Sequence, residues 1–263
     1  VTFVSVPGAV AKESFASFQI TLGYLLGYLV IAYVLLPLYY KLNLTSIYNY
    51  LSGRLGFKAY KTGASFFILS RTLGATARLY LVVRILQDAL PPSMHIPLWV
   101  TTLIILIMIL LYTYEGGVKT IVWTDTLQTT CMLAGLVICV VYLLNQMGMS
   151  FGDSISDINK KGYSKIFFTN PESKFFFAKQ ILAGAFITIT MTGMDQEMMQ
   201  KNISVKTLKG SQKNVLTLGV ILMVVLMLFL FLGGVLLLFA EQQGITAVGD
   251  KLFPSIALNH MPP

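Results

Sequence analysis

Residues 215–239, VLTLGVILMVVLMLFLFLGGVLLLF, run for 25 positions without a charge. At about 1.5 Å per residue, a helix of that length crosses the roughly 30 Å hydrocarbon core of a bilayer. Residues 25–40, LLGYLVIAYVLLPLYY, repeat the signal. A soluble chain of 263 residues has no need of such runs, and its charged fraction would be about 25%, not the 11% found here. The sequence therefore predicts an all-α, polytopic membrane protein. Spans are read at 16–40, 62–88, 96–113, 118–146, 175–199 and 214–240, after an apolar half-segment at 1–12.

The joints set the orientation. One set holds Lys41, Arg54, Lys58, Lys61, Lys119, Lys201, Lys206, Lys209 and Lys213, with few acids. The other holds Lys12, Lys160, Lys161, Lys165, Lys174 and Lys251, offset by seven carboxylates from Glu13 to Asp250. The first set is cytoplasmic by the positive-inside rule, which places residue 263 outside. The net charge of +8 is thus a topology signal and not a nucleic-acid surface. The inner stretch 201–213 reads either as an amphipathic segment reaching anionic lipid or as a solvated connector. The outer loop 147–174 reads either as carrying a short surface helix or as plain loop, and the tail 241–263 reads as polar. Cys131 and Cys139 lie eight residues apart on one helix, about 12 Å, too far for a disulfide. The opening VTFVSVPG carries no secretory signal and reads as the interior of a longer protein.

Ionisable groups inside the membrane cost several kcal/mol and face a cavity or a partner. Arg84 can snorkel outward and pair with Asp88 one turn on. Arg71 and Arg78, seven apart, share a helix face beside small residues, and a buried guanidinium is a fork shaped for a carboxylate. Ligand binding and a salt bridge to another span are both open for them. Asp125, with Thr126, Gln128 and Thr129 nearby, offers oxygens suited to a small hard cation; reaching the inner interface or pairing with an arginine are the alternatives. Thr188, Thr192 and Asp195 recur at helical spacing on the fifth span, and Gly193 marks a place where that helix loosens. Ser5-Val-Pro-Gly8 predicts an interruption of the first half-segment, a device of transporters. His95 and His260 lack metal-ligand spacing, and no nucleophile elbow or phosphate loop is present, so the residues point away from an enzyme.

TFVSVPG (2–8), TSIYNYLSGRLG (45–56), YEGGVKTIVWTDTLQT (114–129) and TGMDQEMMQKNIS (192–204) resemble, in order, the landmarks of the sodium–solute symporter family, closest to its bacterial members. The family includes sodium-coupled sugar, proline, sialic acid and iodide transporters. The resemblance implies the leucine-transporter-like inverted-repeat fold, with the chain running from the second half of core helix 1 through core helix 7. Residues 1–146 would form most of the first repeat and 175–263 the start of the second, a single transporter-core fragment. The implied activity is sodium-coupled symport of a small organic solute by alternating access, in the inner (plasma) membrane. The alternatives are a transporter-like sensor with C-terminal signalling modules and a sodium/sugar-type symporter. The principal sodium site is not assignable from these residues. Asp125 and Thr126 match the ligands of a second sodium site. Thr2, Gln19 and Thr188 match substrate positions, Met191 the inner gate, and Arg78 or Arg71 the arginine that holds the substrate carboxylate in sialic acid relatives. Met191, and Leu222 in place of a sugar-contacting lysine, argue against a galactose-like solute, and the match of Arg78 or Arg71 implies an anionic, carboxylate-bearing one.

Overall fold

The computed structural model describes residues 2–42, 47–89, 97–247 and 249–260; of these, the side chains of 88, 89, 112, 113, 115–122 and 197 are not described. His95 and residue 263 lie outside the described residues. Every named element is helical: α1 (Thr2–Glu13), α2 (Ser17–Val30), α3 (Leu36–Lys41), α4 (Ile47–Leu55), α5 (Phe57–Ala89), α6 (Leu98–Met147), α7 (Phe151–Lys160), α8 (Phe177–Thr188), α9 (Gln196–Ile203), α10 (Leu208–Gln243) and α11 (Leu252–His260). Two π-helical turns, Ile31–Leu35 and Ile189–Gly193, interrupt the α2–α3 and α8–α9 rods.

The centre is a pair of helices brought together by small residues. A Cβ on Gly23 of α2 would overlap the carbonyl oxygen of Ile181, and one on Gly184 of α8 that of Ile20. One turn on, a Cβ on Gly27 would lie 2.6 Å from the Thr188 Cβ. Between membrane helices no hydrophobic force distinguishes protein from lipid, so such close backbone approach supplies the attraction. The long helix α10 packs along α1 and α2. Its C-terminal half, with Phe229, Leu230, Leu232 and Val235 fully buried, forms one core with Val10, Leu136, Leu143, Ile158, Leu252 and Ile256. Its N-terminal half meets Tyr28, Ile31, Leu36, Tyr39 and Met199 in a second core around the π turns.

Three readings of the sequence need correction. First, α1 is not interrupted at Pro7-Gly8; Pro7 sits inside a continuous helix. In so short a helix the missing N–H frees one carbonyl, and the pair serves contact instead. A Cβ on Gly8 would lie 2.5 Å from the Gly249 carbonyl oxygen, while Pro7 meets Gly233 of α10. Second, the turn expected at Tyr114–Gly117 is absent, because α6 continues through it for 50 residues. Glycine costs a helix about 1 kcal/mol per residue but does not forbid it as proline does. A helix of that length is about 75 Å, so its apolar stretches Leu98–Leu111 and Trp123–Met147 exceed one bilayer when in line. The alternation of joints assumed for Lys119 is therefore not reproduced. Third, the tail is not simply polar. After the αL cap at Gly244, α11 folds back and buries Leu252 and Ile256, with Pro254 tolerated in its first turn.

The 147–174 segment contains α7, started by a capping box in which the Ser150 hydroxyl accepts from the Asp153 N–H and the Asp153 carboxylate accepts from the Ser150 N–H. The carboxylate's bonds to the Ser150 hydroxyl and backbone hold it below the usual carboxylate range. Lys161 pairs with Glu241, which also accepts from the Tyr163 hydroxyl at 2.9 Å, and this ties the segment to the end of α10.

Candidate functional site: the interrupted helix and its polar partners

The α8 rod loses its α-helical register at Ile189, makes one π turn to Gly193, and leaves the helix at Met194–Asp195 before α9 begins. A π turn inserts a residue, so the stripe Thr188, Thr192, Asp195 does not stay on one face. Thr188 is buried against Gly27 and Thr192 reaches the Tyr28 hydroxyl, both toward α2. Asp195 turns instead toward α5.

The groups freed by the interruption are taken up by side chains. The Tyr39 hydroxyl donates to the Gly193 carbonyl at 2.8 Å. Asp195 caps α9, its Oδ1 accepting from the Met198 N–H at 3.2 Å, and its Oδ2 is paired with the Arg71 guanidinium. Gln196 accepts from the Ile47 N–H at 3.1 Å, at the start of α4. The facing π turn is treated alike: Gln212 of α10 donates to the Ala32 carbonyl at 2.8 Å. The two turns touch, since a Cβ on Gly193 would lie 2.7 Å from the Leu35 Cδ1 and 2.8 Å from the Ile31 Cγ1. Two irregular turns are thus set against each other with their carbonyls satisfied inside the protein, the condition for irregular backbone at membrane depth.

The residues read from the sequence as a substrate site do not converge. Thr2 is exposed at the start of α1. Gln19 is fully buried, but its side chain is committed: Nε2 donates to the Phe175 carbonyl at 3.1 Å and Oε1 accepts from the Phe168 N–H at 3.5 Å. It stitches the outer segment to α2. Thr188 is buried in the glycine contact, and Met191, on the π turn, is 68% exposed. Arg71 lies over the Phe67 ring and pairs with Asp195, the salt bridge left open by the sequence. Arg78 is exposed on α5, its guanidinium directed back toward Gly74. Arg84 is exposed as well, and the side chain of Asp88 lies outside the described residues.

Asp125 and Thr126 stand on an exposed stretch of α6. Neighbouring helix positions diverge by about 100°, so their side chains serve one cation only from the groove between them, completed by oxygens of another helix. The Thr129 and Thr130 hydroxyls bond back to the Asp125 and Thr126 carbonyls, each at 2.8 Å, and are turned away from that role. Among the described residues no cluster of His, Cys, Asp and Glu could hold a metal ion. Sequence reasoning missed Tyr39, Gln196 and Gln212. Their partners lie 149 to 180 positions away, and each reads locally as an ordinary polar residue at a span end.

The fold as a whole has a counterpart among known structures. A Na+-coupled sialic acid symporter in its substrate-bound outward-open state superposes with a TM-score of 0.78 at 21% identity, over 100% of this chain and 55% of that one. A model of the sodium:solute symporter family matches residues 1–261. The chain belongs to that family. Members of the sodium:solute symporter family similar to it include the sodium/sialic acid symporter of Proteus mirabilis, 23% identical over 92% of this chain and 49% of that protein. The mouse sodium-coupled monocarboxylate transporter 1 is 28% identical over 79% of this chain and 33% of its own length. The human sodium/iodide cotransporter is 25% identical over 81% and 32%. The chain therefore spans half or less of the length of these relatives.

Proposed function

We propose that the protein couples sodium entry to uptake of a small organic solute bearing a carboxylate, by alternating access in the inner (plasma) membrane. The family match over residues 1–261 supports the transport class. The observation that carries the mechanism is the paired interruption: a rod broken at Gly193–Asp195 and leaning on the π turn at Ile31–Leu35 can hinge without exposing unsatisfied carbonyls. Residues 1–146 then belong to the first repeat and 175–263 to the second.

In this reading sodium is cargo. It would be held by the Asp125 carboxylate and the Thr126 hydroxyl, hard oxygen donors on one side of the ion. Arg78 would hold the solute carboxylate, since Arg71 is already committed to Asp195. Thr2 and Met191, both exposed, would border the solute's path. Gln19 and Thr188 would act through packing, because both are buried among protein groups. Sodium moving down the membrane potential gains about 2.3 kcal/mol per charge per 100 mV, which is the source of concentrating power. Coupling requires that sodium and solute each strengthen the other's binding.

A screen of radiolabelled carboxylates, sugars and amino acids in vesicles holding the full-length protein tests this reading. A carboxylate whose uptake needs an inward sodium gradient supports it. Uptake that is indifferent to sodium for every solute would overturn it.

A further inference from the structure

We infer that Asp195 is a positioning residue that latches α9 to α5 and α4 and so keeps the inner side of the interrupted helix closed. Its two carboxylate oxygens do different work. Oδ1 caps the first turn of α9 through the Met198 N–H, while Oδ2 is paired with Arg71 on α5. Rotating α9 away from α5 with its cap intact therefore breaks the ion pair.

The surroundings make the pair a junction and not a stray surface contact. Asp195 is only 11% exposed and Arg71 37%. The Arg71 guanidinium lies 5.5 Å from the Phe67 ring centre, and the Tyr48 ring of α4 packs on the same Phe67 at 5.9 Å. Tyr48 feels both charges. The next residue on α9, Gln196, accepts the Ile47 N–H at the start of α4. The consecutive helices α4 and α5 thus meet the first turn of α9, 124 to 149 residues away in sequence, beside the Gly193 carbonyl held by Tyr39. Little of α5 is otherwise buried, so the junction is a principal tie between that helix and the interruption. An ion pair suits a latch because its strength is modest and its geometry specific: it holds one arrangement without making its loss prohibitive.

This inference rests on the transporter reading for its place in a cycle, but its test does not need transport. The full-length protein would carry one reporter cysteine, with Cys131, Cys139 and any other native cysteines replaced. Met199→Cys, buried on α9 behind the latch, reports opening; Leu230→Cys, buried in the outer core, reports loss of fold. Asp195→Asn keeps an oxygen for the cap but removes the charge. It is expected to raise labelling of the Met199→Cys reporter by about fivefold, with Leu230→Cys unchanged. Arg71→Gln leaves the Asp195 cap of α9 in place and should raise labelling to a similar extent. Unchanged labelling at Met199→Cys in either variant, or a parallel rise at both reporters, would overturn the latch. None of these outcomes depends on finding a solute, so sodium-indifferent uptake would sink the proposed function and leave this result standing.

Discussion

Two groups of apolar helices in this molecule are oppositely packed. α2 meets α8, and α1 meets α10, at glycines where backbone touches backbone, and α10 buries leucine and phenylalanine beside them. α5 and the 123–135 stretch of α6 leave Leu69, Leu73, Leu81, Trp123 and Leu127 exposed. The groups of chemical interest divide the same way. Gln19, Thr188 and Tyr39 belong to the packed group, where Gln19 and Tyr39 bond to backbone carbonyls and Thr188 is buried against Gly27. Arg78 and Asp125 belong to the open group. Packed polar groups here shape the bundle, while Arg78 and Asp125 stand exposed on the open helices.

The largest expected contrast comes from glycine. Gly184→Val places a side chain into the Ile20 carbonyl, and should destabilise the fold by about 3 kcal/mol or more, seen as loss of the monodisperse protein. Gly135→Ala on α6, where nothing lies within 4 Å, should instead stabilise by about 0.5–1 kcal/mol. Equal tolerance at both positions would erase the distinction between the groups.

That distinction was only partly legible in the sequence. The spans 16–40, 62–88 and 214–240 follow from apolar length alone, and they correspond closely to helices of the structure. The loosening at Gly193 was legible too, because polar residues cluster beside glycine there. The fate of Pro7-Gly8 was not. Whether such a pair breaks a helix or lets another backbone approach depends on Gly233 and Gly249, more than 200 positions away. Arg71 illustrates the same limit: its charge and depth were plain, but its partner Asp195 lies 124 residues on. The open helices were misread at 114–117 for the opposite reason. A glycine pair was given the force of a turn, whereas the helix runs through it at a cost of about 1 kcal/mol per glycine.

The next contrast concerns transport. Arg78→Ala should lower solute uptake about 100-fold while leaving thermal stability unchanged, as expected of a charge on an open helix. A loss of stability matching the loss of uptake would move Arg78 into the packed group. Tyr39→Phe should do the reverse on a smaller scale. Losing the hydroxyl donor to the Gly193 carbonyl should cost about 1 kcal/mol of stability, read by thermal unfolding in detergent. No change there would mean that the irregular turn does not rely on its side-chain partner.

The smallest effect lies outside both groups, at α7. The Asp153 carboxyl is held below its ordinary range by Ser150, so its folded-state pKa is below its unfolded one. Its contribution is complete above the ordinary carboxylate range and is lost as pH falls through the depressed value. Protection of α7 amides, taken relative to the intrinsic exchange rate at each pH, should fall over that acid window and not between pH 6 and about pH 8. In Ser150→Ala the window should shift toward the ordinary range; an unshifted window would separate the cap from the titration.

The sodium titration of uptake by Asp125→Asn measures the central claim most directly. If the carboxylate on the open face of α6 meets the driving ion, the half-saturating sodium concentration should rise about tenfold or the Hill coefficient should fall, at unchanged protein stability. A sodium curve superimposable on that of the unsubstituted protein would contradict the account.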